Sequence, residues 1–319
     1  MNTRNQLLDL TKFILSLCVV CIHSQLFIDV NLYLYQFVVC GITRIAVPMF
    51  FIISGYYFYD KTINHKNTNS YLIKIIKLYI FFELFEILFY SYFMYPNLVN
   101  QFGILGFPIR ILTTGLGGAY WFLISLVISL FILKKLWKKE QIFPGLIIGF
   151  MFYVIAMSFD TYAGFHLPYM KIAEIHTYFM KWPQAGLVSS LLFLSLGACI
   201  HKYGHKLRKN IIRLLYLFLL FIIEVFYTQN HGAIDANMYF SLILLVPYLF
   251  YYILNTNINL NMNTSYLANM SVYIYMLHPF VLNILGFVFH QTILKCLFVL
   301  LITIFLSHCI VKRKCSYRF

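Results

Sequence analysis

Charge is what this sequence has least of. Lysine, arginine, aspartate and glutamate make up 11% of the 319 residues, and only 10 residues are acidic. A water-soluble domain carries about a quarter charged residues, so a soluble globule is excluded. No stretch is polar enough to form a separate soluble domain, and a single transmembrane domain over residues 1–319 is expected. A signal-peptide cleavage site is also lacking. His23, Ser24 and Gln25 stand where small residues would be needed, so the first apolar run reads as an uncleaved helix. Nor do the cysteines form a framework. Cys18, Cys21, Cys40, Cys199, Cys296 and Cys309 lie within apolar runs and Cys315 in the tail, so neither a disulfide scaffold nor a bound metal is expected. The CxxC spacing of Cys18 and Cys21 reads as small packing residues on one helix.

What is abundant is apolar surface: 61% of residues are hydrophobic and mean hydropathy is +0.79. Runs of about 20 such residues, each long enough to cross the hydrocarbon core, recur from end to end. The expected fold is an all-α integral membrane protein with helices near 7–27, 36–59, 71–94, 119–136, 142–159, 184–200, 210–228, 237–254, 267–285 and 292–311. Basic residues test that count, because they accumulate in cytoplasmic loops. Arg4, the Lys61–Lys77 group, the Lys134–Lys139 group, the Lys202–Arg213 group and the Lys312–Arg318 tail fall on one side, against Arg110, Lys171 and Lys181 on the other. Ten spans with both termini cytoplasmic satisfy this alternation, in a bacterial cytoplasmic membrane. The net charge of +14 is then topology and contact with anionic lipid, not a sign of nucleic-acid binding. The stretch Asn255 to Asn263 reads as an uncharged connecting loop.

Ionisable side chains inside a bilayer are costly, and each is a functional candidate by default. Helix 7–27 carries Asp9, Lys12 and His23. At about 100° and 1.5 Å per residue, Lys12 and His23 share one helix face about 16.5 Å apart, Lys12 near the cytoplasmic end. Singly, Lys12 can snorkel to the headgroups and His23 can bond a neighbouring helix; their shared face favours function. Arg44 precedes Pro48, Ser54 and Gly55 in the next helix and needs a polar partner, for which Asp9 or a bound anion is a candidate. Pro48 and Gly55 can open carbonyls to a cavity or allow close helix packing. Glu83, Glu86 and Glu224 fit structural pairing better than a proton relay, although a relay stays open. The most polar external segment, Asp160 to Trp182, offers Glu174, His176 and Lys181 to a polar acceptor. His201 and His205 sit among lysines and arginines and read as a basic edge, not a metal pair.

Four segments, in order, resemble the acyltransferase 3 family, whose members modify bacterial surface polysaccharides. They are Leu8-Asp9-Leu10-Thr11-Lys12 leading to His23; Arg44-Ile45-Ala46-Val47-Pro48 through Ser54-Gly55-Tyr56; Tyr120-Trp121-Phe122-Leu123; and Tyr273-Ile274-Tyr275-Met276-Leu277-His278-Pro279. The family's first basic residue is usually arginine. Lys12 keeps the charge and loses the bidentate fork. Members with lysine there include polysaccharide acyltransferases and the membrane halves of serine racemases described as amino-acid transporters.

The resemblance implies transfer of an acyl group, in the first instance acetyl, from cytoplasmic acyl-CoA to a hydroxyl of a cell-surface glycan or a lipid-linked sugar. Acyl-CoA would be a co-substrate, with no bound cofactor, and the partners would be the glycan acceptor and membrane lipids, with no nucleic acid. It implies His23 as the base, or as the site of an acyl intermediate, with Asp9 beside it in the catalytic set. Lys12 and Arg44 would hold the donor, and Ser54, Trp121 and His278 would shape the site. The rival reading is a permease for a small polar solute such as an amino acid, drawn from Glu83, Glu86, Glu224 and the lysine at position 12.

Overall fold

The computed structural model describes residues 4–93, 119–165, 186–233 and 236–316. Among them every regular element is helical. The α-helices are α1 (Gln6–His23), α2 (Leu32–Val38), α3 (Ala46–Ile63), α4 (Thr68–Phe93), α5 (Trp121–Trp137), α6 (Phe143–Phe159), α7 (Gly186–Tyr203), α8 (Ile211–Asn230), α9 (Leu242–Leu254), α10 (Thr264–Gly286) and α11 (Thr292–Ser316). Among the described residues, five segments are long and apolar enough to cross a membrane: Gln6–His23, Leu32–Ile63, Ile211–Asn230, Thr264–Gly286 and Thr292–Arg313. Phe143–Phe159 and Leu242–Leu254 are apolar but shorter. On α8, Ile212, Leu215, Leu219, Ile223 and Tyr227 are all exposed. Their spacing of three to four makes one continuous apolar stripe, as a lipid-facing helix requires.

Asparagine starts several of these helices. Asn5, Asn31, Asn210 and Asn263 stand just before α1, α2, α8 and α10, and each side chain accepts a backbone N–H of the first turn. That bond satisfies a donor the helix cannot, which matters most where water is scarce. Asn263 shows that the 255–263 stretch does more than connect.

Two of the departures from the expected boundaries bear on the site. The helix foreseen over 36–59 breaks at Gly41 into α2, a 3₁₀ turn at Ile42–Ile45, and α3. A Cβ at Gly41 would collide with the Phe37 carbonyl oxygen. The Val39 carbonyl freed by the break accepts from the Thr43 hydroxyl and from Arg44 Nε, each at 2.9 Å. The helix foreseen from 237 starts at Leu242 instead, because Glu224 on α8 takes the N–H groups of Phe240 at 2.6 Å and Ser241 at 2.8 Å. A carboxylate from another helix thus serves as the cap.

The chain divides into two compact units, residues 1–50 with 204–319, and residues 51–203. In the first, α1 packs along α10, and α10 along α11. Val20, Met270, Ile274, Val281, Val299 and Val311 form its buried cluster. The start of α1 is tied down by Asn5 Nδ2, which donates to the Leu254 carbonyl at 3.0 Å, and by Gln6 Oε1, which accepts from the Leu260 N–H at 2.6 Å. In the second unit α6 and α5 pack on α7. There Gly55 of α3 lies against the backbone of Leu194, and Gly197 of α7 against the Ile52 carbonyl, so neither has room for a Cβ. Small residues let two backbones touch where lipid gives helices little apolar drive to associate. Gly55 therefore serves close packing.

Candidate active site

Helix α1 carries Asp9, Lys12 and His23 without interruption, so Lys12 and His23 do share a face. Each belongs to a separate polar cluster.

The first cluster surrounds Asp9, whose side chain is 3% exposed. It accepts from Arg4 Nε and pairs with Lys12 Nζ at 3.5 Å. Asp9 and Lys12 are one turn apart, the i, i+3 spacing that brings opposite charges together on a helix. The lysine side chain remains about one quarter exposed, at 26%, so its ammonium has access to an anion from outside. The Arg4 guanidinium stands on the same carboxylate and is more exposed still. This end of α1 therefore presents two cations on one buried anion.

The second cluster lies at the other end of α1. The ring of His23, its last residue, stands 5.0 Å from the ring of His278 on α10, centroid to centroid, tilted by 41°. His278 is 1% exposed. Its Nδ1 lies 2.6 Å from the Tyr275 carbonyl oxygen, and its Nε2 is buried with no hydrogen-bond partner among the described residues. The 3₁₀ turn that holds Arg44 packs on α1, and the Arg44 charge is felt at His23. Arg44 Nε donates to the Val39 carbonyl at 2.9 Å, and its Nη1 donates to the side-chain oxygen of Asn237. The partner suggested for Arg44 from sequence, Asp9, is thus replaced by Asn237. The reason is helical rise: Asp9 lies fourteen residues before His23, about 21 Å along the axis.

Asn237, read from the sequence as the first residue of a helix over 237–254 and not as a site residue, stands instead in the connection between α8 and α9. Its place is set by Glu224, which anchors Phe240 and Ser241 just beyond it. Glu224 is therefore a structural carboxylate. Glu83 and Glu86 are buried on α4, and Glu83 hydrogen-bonds the Tyr79 hydroxyl.

Ser54 and Trp121 belong to the second unit. Ser54 shares a hydrogen bond with the Tyr71 hydroxyl of α4. Trp121 is the first residue of α5, partly exposed and next to the fully buried Tyr120. In the same unit His201 Nε2 lies 3.5 Å from Asp60 and packs edge-on against Tyr56 and Tyr59. Glu174, His176 and Lys181 lie outside the described residues.

What the first unit offers chemically is a pair of imidazoles beside a guanidinium, with a lysine on the same helix face about 16.5 Å away along the axis. Imidazole moves protons near neutral pH. Fixed cations stabilise developing oxyanions and hold phosphates. Acyl transfer from a thioester to a hydroxyl needs these parts.

Comparison with known proteins agrees with this inventory. A family model described as an acyltransferase domain matches residues 5–312, nearly the whole chain. A curated protein of Enterococcus faecalis named amino-acid racemase is 24% identical over 305 residues, covering 89% of this chain. The match spans only 42% of that relative's length. No solved structure matches.

Proposed function

The chain belongs to the acyltransferase 3 family, and from that premise we propose that it moves an acyl group, most simply acetyl, from cytoplasmic acyl-CoA to a hydroxyl of a cell-surface glycan or its lipid-linked precursor. The observation that carries this is the contact of His23, on the face of α1 that Lys12 shares, with His278 of α10, in a chain matched over residues 5–312 by an acyltransferase family. Lys12 and Arg4, toward the cytoplasmic end, hold the donor's phosphates, and Asp9 acts through Lys12 by keeping its ammonium in place. The thioester arm runs along α1 toward His23. Arg44, fixed by Val39 and Asn237, stabilises the oxyanion that develops on the thioester carbonyl. His23 takes the proton of the attacking hydroxyl.

Ten spans with both termini in the cytoplasm of a bacterial cell are the topology that fits this scheme. The lopsided placement of lysine and arginine supports it. The whole span 1–319 then acts as one transmembrane domain. Ser54, Trp121 and the loop with Glu174, His176 and Lys181 are our candidates for shaping the acceptor side.

The permease reading loses one of its supports, because Glu224 caps α9. Donor dependence separates the two directly. Purified protein in liposomes, supplied with acetyl-CoA and an envelope glycan fraction, should release CoA and acetylate the glycan. Solute uptake without any acyl-CoA, together with no CoA release, would reject the acyltransferase reading.

A further inference from the structure

We propose that His278 is a positioning residue for this reaction: its Nε2 accepts the N–H of His23, so that the other His23 nitrogen faces the acceptor hydroxyl as a lone pair. The proposal rests on the assignment of His23 as the base.

The sequence His278-Pro279 explains why His278 is suited to this. Within an α-helix the carbonyl of residue 275 pairs with the N–H of residue 279, and Pro279 has none. The Tyr275 carbonyl is therefore left without its helical donor. His278 Nδ1 fills the vacancy at 2.6 Å. A carbonyl oxygen only accepts, so Nδ1 carries the proton, and in the neutral ring Nε2 is left as the lone pair. The proline selects the tautomer of the histidine before it.

That lone pair is buried on a side chain 1% exposed, and no donor among the described residues meets it. Buried acceptors are nearly always satisfied, and an open one in a packed helix pair points to a partner engaged during function. His23 is the neighbouring group, with its ring centroid 5.0 Å away. It is the last residue of α1 and is followed within two positions by Gln25 at φ 52°, so the helix ends beside it. A turn of the His23 ring brings an N–H onto His278 Nε2.

In the reaction His23 removes the proton of the acceptor hydroxyl as its oxygen attacks the thioester carbon. The C–O bond forms and the C–S bond breaks. The departing CoA thiolate takes that proton back from His23. His278 stays neutral throughout and holds the N–H of His23 by its lone pair, the part played by the orienting third group behind any activated base.

The test uses the full chain in lipid nanodiscs with ¹⁵N-labelled histidine. Nδ1-protonated signals are expected from His278 and from His231, whose Nδ1 lies 2.7 Å from the Tyr227 carbonyl oxygen; the one lost in His278→Gln should shift at Nε2 when His23 is changed to alanine. Pro279→Ala, which restores an N–H to the Tyr275 carbonyl, should mix the tautomers. A protonated Nε2 on His278, or no response to His23→Ala, overturns the proposal. With acetyl-CoA and envelope glycan as probe, His278→Ala should lower kcat about 100-fold with little change in KM for acetyl-CoA, and His278→Gln, whose oxygen still accepts, should recover about a tenth of the wild-type rate. Equal loss in both variants, or none, sinks the positioning role while His23 remains the base. Wild-type activity in His23→Ala sinks the base assignment and this proposal with it.

Discussion

Lys12 Nζ stands 3.5 Å from the carboxylate of Asp9, one turn back on the same helix, and that carboxylate also binds Arg4. An ammonium on a buried anion is held in place without being neutralised as a binding group, because a quarter of the lysine side chain stays exposed. Lys12→Ala should raise KM for acyl-CoA more than it lowers kcat. Lys12→Arg should preserve donor binding, since the guanidinium keeps the charge and adds a fork for phosphate. Steady-state kinetics with varied acyl-CoA decide it; a pure kcat effect would remove Lys12 from the donor site.

Asp9→Ala leaves two cations without their shared anion. The cations left behind are both partly exposed, Lys12 at 26% and Arg4 at 56%, so the loss is that of a solvent-screened pair, about 1 kcal/mol. Thermal unfolding in detergent should show this loss. Double substitution of Asp9 and Lys12 should be milder than Asp9→Ala alone.

Glu224→Ala removes the acceptor for two backbone N–H groups at the start of α9 and should destabilise the protein by about 0.5–2 kcal/mol, the range for a lost helix cap. Glu224→Gln keeps an acceptor oxygen and should retain most stability and acyl transfer. Loss of all function in the glutamine variant at unchanged stability would restore a proton-carrying role for this residue.

Gly55→Ala and Gly197→Ala each place a methyl group against facing backbone, where neither side can yield as a side chain would. Overpacking of this kind costs about 1–3 kcal/mol. The unfolding temperature should fall in both variants, and a neutral result would contradict the close α3–α7 approach.

Asp29 gives a pH-dependent case. Its carboxylate accepts the N–H of Thr292 at 2.9 Å and the Thr292 hydroxyl, and these bonds hold its pKa below the ordinary aspartate range. A depressed folded pKa stabilises the fold above the unfolded value of about 3.9 and loses that effect as pH falls through the folded value. The stability gap between wild type and Asp29→Ala should be full at pH 7 and narrow below about pH 4. A gap independent of pH would mean that the carboxylate charge is irrelevant at the start of α11.

Much of this architecture could be read in advance because membrane spans obey length and hydropathy. Helices α1, α6, α8, α10 and α11 lie close to the segments foreseen, and the shared face of Lys12 and His23 follows from helical geometry alone. What escaped was set by contacts between segments far apart in sequence. Glu224 shortens α9 from another helix, Gly41 breaks a run that hydropathy alone reads as continuous, and Asn237, foreseen as the start of a helix, reaches Arg44 from the connection that precedes α9. Asp9 and Arg44, both polar in apolar surroundings, suggested each other as partners. Helical rise separates them and gives each a nearer one.

The central claim is that His23 is the base of a membrane acyl transfer, and one experiment addresses it most directly. Wild-type protein and His23→Ala, reconstituted in liposomes, would be given radiolabelled acetyl-CoA and an envelope glycan fraction. Label should pass to glycan in the wild type and fall by about 10²–10⁴-fold in the variant, with its helical content unchanged. Equal label transfer by the two proteins would contradict the account.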